Sequence, residues 1–151
     1  MANSDVLEAF KTLAEESTSF SASFLDEVGN LISAIGVPLS QGDDYLLSFS
    51  VGYIEQEIKN SCNVNEVPEG LYKVAVELIV ARFLSAKKSK HEVDADLLDF
   101  SPILKELSEG DTKQVWDTST GSSAEQRLDA LIALLNDGRN QFVTYRRIRW
   151  W

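Results

Sequence analysis

The stretch LYKVAVELIVARFL, residues 71–84, constrains the fold most, because it is apolar over almost the whole circumference of a helix. Its charged residues are Lys73, Glu77 and Arg82. Pro68 suits the first turn of such a helix, and Glu69 suits the positive end of the helix dipole. A helix that is apolar on so many sides has to be covered from several directions. The sequence therefore predicts a helical protein with this segment at its centre.

Two earlier segments have helical periodicity. In residues 4–16 the apolar positions are Val6, Phe10 and Leu13. From residue 20 they are Phe20, Phe24, Val28, Ile32 and Ile35. Gly36 and Pro38 are typical of a helix end, Gly as a cap and Pro as a stop. The serines of residues 17–23 weaken the join, so the two segments are either one bent helix or two helices.

A third helix is predicted after Ser40, which has the spacing of a capping box with Asp43. The positions expected to face inward are Leu46, Phe49, Tyr53, Ile54 and Ile58. Further along, residues 94–108 favour a shorter helix. The last helix has an apolar stripe, which Asn136, Asp137 and Gly138 end: Leu128, Leu131, Ile132 and Leu135.

TKQVWD, residues 112–117, is the best strand candidate in the chain. A lone strand leaves its backbone groups unpaired, so it either forms a hairpin with the 117–121 loop or pairs with another subunit. The predicted fold is mainly α, a bundle of four to six helices with one short β arm and an extended C-terminal tail. Its predicted organisation is a helical body, residues 1–138, of which 1–41 form the N-terminal helices, followed by the tail, residues 139–151.

The chemistry of an enzyme is not visible in the sequence. Cys62 and His91 are the single cysteine and histidine, and the common catalytic and nucleotide-binding motifs do not occur. The acidic clusters at 43–44 and 94–99 fit helix starts better than a metal site. We therefore expect no catalytic residues, no metal and no cofactor. A lone cysteine fits a reducing compartment, and neither a secretory signal nor an apolar run of membrane-spanning length is visible.

Charge separates the tail from the body. All 24 acidic residues lie in residues 1–138, which carry −14, whereas residues 139–151 carry +4 and end in YRRIRWW. Three interpretations are open: a basic helix end packed back on the acidic body, nucleic-acid binding, or docking on a protein partner. The acidic body would repel nucleic acid. Arg, Trp and Tyr are enriched at interface hot spots, which favours docking.

Four stretches, in order, resemble head–tail connector (adaptor) proteins of long-tailed bacteriophages: VPEGLYKVAVELIVARFL (67–84), EGDT (109–112), AEQRLDALIALL (124–135) and YRRIRW (145–150). The resemblance covers residues 42–151 and marks 42–138 as an adaptor-like core. It implies a non-enzymatic virion protein of the neck, present in the host cytoplasm during assembly. Such proteins form rings, usually of twelve copies, beneath the portal protein; DNA passes through the channel, and a stopper or tail-joining protein sits below.

The resemblance also implies roles for particular residues. The portal-docking candidates are Tyr145, Arg146, Arg147, Ile148, Arg149, Trp150 and Trp151. Val115 and Trp116 are the candidates for contacts between subunits or with the next ring. Two alternatives stay open, namely another neck component such as a stopper or tail-completion protein, and a small helical nucleic-acid-binding regulator.

Overall fold

The structure is a computed structural model that describes residues 3–90 and 124–148. In chain order its helices are α1 (Asn3–Ser17), α2 (Ala22–Ile35), α3 (Asp43–Cys62), α4 (Tyr72–Ser89), α5 (Ala124–Asn136) and the single turn α6 (Phe142–Tyr145). Short 3₁₀ turns, Glu69–Leu71 and Asp137–Gln141, precede α4 and α6. The mainly α class is confirmed. The predicted helix at 94–108 and the predicted β arm, with Val115 and Trp116, lie outside the described residues.

The predicted central helix is α4. It packs against α2, α3 and α5, and ten of its residues are buried along its whole length. The 3₁₀ turn Glu69–Leu71, which follows Pro68, leads directly into it. The apolar circumference of residues 71–84 is thus explained by contacts on several sides.

The N-terminal segments are two helices rather than one. Ser21 caps α2, because its hydroxyl accepts a hydrogen bond from the Phe24 N–H at 3.3 Å. Gly36 ends α2 with φ +85°, the left-handed conformation that glycine adopts without strain. Between the helices, Ser19 donates from its N–H (2.9 Å) and its hydroxyl (2.5 Å) to the carboxylate of Glu55. The serine-rich join is therefore tied to α3.

The N-terminal end of α3 contains a buried ion pair. The Asp43 carboxylate accepts a hydrogen bond from the Ser40 N–H at 2.8 Å, which is one half of the predicted capping box. The same carboxylate lies 2.7 Å from the Lys87 ammonium of α4. Asp43 is 3% exposed and Lys87 is 1% exposed. Asp43 thus stands at a helix start, and it also joins α3 to α4.

The predicted orientation of α3 is wrong in part. Ile54 and Ile58 are buried as expected, but Phe49 and Tyr53 are 55% and 45% exposed, and Leu46 is only half-buried. The buried stripe is aliphatic and consists of Leu47, Val51, Ile54 and Ile58. A helix on the surface can bury only one side, and here the aliphatic stripe faces the core.

The core also continues beyond the predicted end of the body. Leu128, Leu131 and Leu135 of α5 are buried as expected, but Phe142 is buried too. The core therefore includes a residue of the segment that was predicted to be the tail. Residues 137–145 are helical, so the described part of the predicted extended tail is extended only from Arg146 onward.

Candidate functional site

The C-terminal segment, residues 139–148, lies against the C-terminal half of α3. Its first contact is a two-point ion pair: Arg139 Nε and Nη2 donate to the two carboxylate oxygens of Glu57 at 2.7 and 3.2 Å. Arg139 Nη1 donates to the Asn136 side chain at 2.8 Å. This geometry uses the planar fork of the guanidinium and fixes the direction in which the chain leaves α5.

The segment also caps the end of α3. The last carbonyls of a helix have no partner within it. Here the Arg147 N–H donates to the Cys62 carbonyl at 2.8 Å, and Arg146 Nε donates to the Ser61 carbonyl at 3.1 Å. In return, the side-chain amide of Asn63 donates to the Arg147 carbonyl at 3.1 Å. Three hydrogen bonds therefore hold residues 146–147 on the end of α3.

Tyr145 packs directly on Gly70, in the 3₁₀ turn before α4. A Cβ atom at position 70 would lie 1.9 Å from the Tyr145 hydroxyl oxygen and 2.6 Å from its Cζ atom. No side chain fits between them, so glycine is required at position 70 for this approach. The tyrosine ring is partly buried against the core. Tyr145 thus fastens the C-terminal segment to the start of α4.

Cys62 lies beneath the segment. Its thiol donates to the Phe142 carbonyl at 3.6 Å, and the residue is fully buried. Burial raises the pKa of the Cys62 thiol, and the positive charge of Arg146 offsets part of that shift. A thiol whose pKa is raised is mostly neutral near pH 7 and is a poor nucleophile. Cys62 is therefore a packing residue whose accessibility depends on the C-terminal segment.

A polar pocket of about 550 Å³ lies beside these contacts. Its lining is Val64, Asn65, Glu66, Val67, Pro68, Glu69, Tyr72, Tyr145 and Arg147. Carboxylates, phenol groups and a guanidinium thus share one concave surface. Ile148, the next residue along the chain, is 74% exposed. Such a surface offers both hydrogen-bond donors and acceptors to a polypeptide, next to the exposed Ile148.

The predicted docking residues that the structure describes fall into two groups, those that contact the body and one that does not. Tyr145, Arg146 and Arg147 contact the body, as in the interpretation of a helix end packed back on it, although both arginines remain exposed. Ile148 points away from the core, while residues 149–151 lie outside the described residues. Sequence reasoning missed Glu57, Asn63 and Gly70 as partners. The one visible signal was Gly70, which follows Glu69 at the predicted helix start. It did not identify Tyr145 as the residue that packs on it.

Metal-binding clusters and membrane-spanning helices are absent from the part of the chain that the structure describes. Residues 3–90 and 124–148 contain no group of three or more His, Cys, Asp or Glu side chains placed to hold a metal ion. Within the same ranges, none of the helices combines the length and the apolar character that crossing a membrane requires. Comparisons with protein-family models, curated proteins and solved structures give no significant match.

Proposed function

We propose that this protein is a structural, non-enzymatic virion protein, a head–tail adaptor that forms a ring, of twelve copies, under the portal of a long-tailed bacteriophage. In this role it extends the DNA channel and joins the head to a stopper or tail-joining protein. The observation that carries the proposal is the basic and aromatic C-terminal segment, which is fastened to a helical body up to Arg147 and is exposed at Ile148.

The fastening supports docking because it reduces the entropy lost on binding. A partner that binds residues 148–151 meets a chain whose preceding residues already have fixed positions. Arg146 and Arg147 are exposed next to Ile148, so their guanidinium groups are available to carboxylates of the portal. Arg149, Trp150 and Trp151 follow directly in the sequence and are of the types enriched at hot spots.

The charge of the body supports a channel role. Residues 1–138 carry −14, and like charge between a channel wall and DNA phosphates prevents tight binding. In the proposal, DNA passes without specific contacts and the portal is held by the C-terminal segment. Val115 and Trp116 contribute to contacts between neighbouring subunits or with the next ring.

The experiment compares portal binding by the full chain and by a variant that lacks residues 148–151. The body should stay folded, because Tyr145, Arg146 and Arg147, which make the anchoring contacts that the structure describes, are retained. Each hot-spot residue is worth about 2 kcal/mol or more, so losing several should weaken binding to the portal of the same virus by more than about 100-fold. Changing the exposed Val143 to Ala, on the same segment, is the matched control and should bind normally.

An unchanged portal affinity in the truncated chain would contradict the docking role. Binding to duplex DNA that falls steeply with salt and disappears on truncation would instead favour the regulator.

A variant in which Arg146, Arg147 and Arg149 become lysine separates charge from geometry. It keeps the charge but loses the planar fork, so we expect distinctly weaker portal binding than in the wild type.

A further inference from the structure

The polar pocket beside the C-terminal segment has the chemistry to hold a guanidinium group. The carboxylates of Glu66 and Glu69 and the side chains of Tyr72 and Tyr145 line its volume of about 550 Å³. A carboxylate accepts the parallel N–H bonds of a guanidinium, and a tyrosine ring attracts a cation that lies over its face. Among residues 3–90 and 124–148, neither glutamate forms an ion pair. Both carboxylates therefore remain available to a ligand.

The aromatic walls of the pocket are already held in place. The Tyr72 ring meets the Phe24 ring edge-on, with the centroids 5.6 Å apart, and is nevertheless 36% exposed. Tyr145 is held against Gly70. A site whose side chains are ordered before the ligand arrives loses less entropy on binding. The pocket is therefore pre-organised on its aromatic side.

We propose that this pocket binds the guanidinium group of Arg149 of the same chain, and so holds the residues that follow Ile148 on the body while no partner is bound. Arg147 lines the pocket, whereas Ile148 is 74% exposed. The backbone is extended at Arg146, and successive side chains of an extended chain point to opposite sides. One more extended residue turns Arg149 back to the side of Arg147, about 6.6 Å farther along the chain.

Charge and reach identify the occupant. The described lining contains Glu66, Glu69 and Arg147, so it has one negative charge in excess. Residues 149–151 contain a single charged side chain, the cation Arg149, which neutralises that excess. Because Arg149 follows a pocket-lining residue by two positions, the contact closes a very short loop, and its effective concentration exceeds that of an arginine from a second copy.

The chain pairs a guanidinium with a carboxylate in this way elsewhere. Arg139 donates two hydrogen bonds to Glu57, on the same C-terminal segment. The proposed contact deepens the proposed function, and its consequence for the portal rests on that function. While Arg149 lies in the pocket it cannot pair with carboxylates of the portal, so docking has to exchange Glu66 and Glu69 for those carboxylates. The pocket thereby sets the resting state of the docking residues.

The test is limited digestion of the full chain with trypsin, which cleaves after Arg149 only when that residue has left the pocket. Mass spectrometry identifies the product that ends at Arg149. Glu66→Gln with Glu69→Gln should be cleaved there about 5-fold faster than the wild type, because the ion pairs are lost and the rings alone hold the guanidinium. Equal rates in the wild type and the double variant would overturn the proposal.

Two controls separate the pocket from general effects of charge and of helix stability. Glu15→Gln with Glu16→Gln removes the same charge from exposed positions of α1 and should leave the cleavage rate unchanged. Glu66 lies outside the helices, so Glu66→Gln alone should still increase the rate without altering the start of α4. A rate that rises equally in the α1 control would mean that net charge, and not the pocket, governs cleavage.

Two further measurements test the guanidinium and the origin of Arg149. Arg149→Lys keeps the charge and the trypsin site but loses the planar fork. Its cleavage rate, divided by that of a synthetic peptide of residues 143–151 with the same substitution, should exceed the wild-type ratio. The wild-type rate should also stay constant over a range on the order of 100-fold in protein concentration. A rate that falls with concentration would show that a second copy supplies the arginine, and would overturn the contact within one chain.

Portal binding distinguishes a failure of this inference from a failure of the proposed function. Glu66→Gln with Glu69→Gln should bind the portal of the same virus about 5-fold more tightly, because Arg149 no longer has to leave the pocket first. If the double variant is cleaved faster but removal of residues 148–151 leaves portal affinity unchanged, the pocket contact stands and the docking role fails. If that truncation weakens portal binding but the double variant is cleaved like the wild type, docking stands and the pocket contact fails.

Discussion

The two ends of α3 are both held by charged residues that are distant in sequence, but in different surroundings. At the N-terminal end the Asp43–Lys87 pair is fully buried, so both charges have lost their water. At the C-terminal end, Arg139, Arg146 and Arg147 make their contacts at the surface. A buried charge is costly to leave unpaired, whereas an exposed one is readily solvated. The N-terminal end of α3 is therefore fixed by its buried ion pair, whereas the contacts at the C-terminal end depend on packing and on backbone hydrogen bonds.

The largest expected effect is at the buried end. Lys87→Met leaves the Asp43 carboxylate buried without its cation, which typically costs about 3–5 kcal/mol of unfolding free energy. Lys88→Met is the matched control, because the adjacent Lys88–Asp129 ion pair is partly exposed and should be worth less than about 1 kcal/mol. Urea unfolding measures both. Equal losses of unfolding free energy in the two variants would show that the buried Asp43–Lys87 pair stabilises the fold no more than the partly exposed Lys88–Asp129 pair.

The next effect tests whether the C-terminal segment belongs to the core. Phe142→Ala removes a buried ring and should lower the unfolding free energy by about 3 kcal/mol, the lower part of the usual range for Phe→Ala. Its neighbour Val143 is exposed, so Val143→Ala should change the unfolding free energy by less than about 0.5 kcal/mol. The same denaturation experiment measures both variants. If Phe142→Ala is as mild as Val143→Ala, the segment does not pack on the body.

A smaller effect is expected where Tyr145 packs on Gly70. Gly70→Ala has to displace the Tyr145 ring, which should cost about 1 kcal/mol. The cost should vanish when Tyr145 is already alanine, and a double-mutant cycle measures this coupling. Gly52→Ala is the opposite control, since Gly52 lies within α3 with space around it, and alanine should stabilise the helix by about 0.5–1 kcal/mol. If Gly70→Ala still lowers the unfolding free energy when Tyr145 is alanine, the cost comes from the backbone at position 70 and not from contact with the Tyr145 ring.

The smallest effect concerns the Arg139–Glu57 pair. It is at the surface, so Arg139→Ala should lower the unfolding free energy by only about 0.2–1 kcal/mol. The difference from the wild type should shrink in about 0.5 M salt, because exposed charges are screened. A salt-independent loss of several kcal/mol would mean that this ion pair, rather than Phe142 and the backbone bonds, holds the C-terminal segment.

Periodicity predicted the helices whose apolar pattern allows only one orientation. In α2 the stripe from Phe20 to Ile35 and the Gly36 cap agree, and in α4 almost every side is apolar. In α3 two stripes compete, an aromatic one at 45, 49 and 53 and an aliphatic one at 47, 51, 54 and 58. Both have helical spacing. Which of them faces inward depends on the neighbouring helices, and a single sequence does not contain that information.

The candidate site was predictable only in its residue types. The arginines and aromatic residues of 145–151 were singled out by composition, but their partners Ser61, Asn63 and Gly70 lie more than 70 positions away in the chain. Phe142 belongs to a four-residue helix, which is too short for periodicity to show its buried side. Lys87 was missed for another reason, because lysine is almost never fully buried unless it is paired.

The central claim is that the chain is held on α3 up to Arg147, while Ile148 is exposed and accessible to a partner. The reaction rate of the single cysteine, Cys62, with a thiol reagent tests it in three proteins. The full chain and the chain lacking residues 148–151 should both react slowly, because the segment covers the thiol and burial raises its pKa. Removing residues 142–151 takes away Phe142, whose carbonyl accepts the hydrogen bond of the thiol, together with the Arg146 and Arg147 contacts, and should increase the rate by about 10-fold or more. Equal slow rates in both truncated chains, or fast labelling after removal of residues 148–151 alone, would contradict the claim.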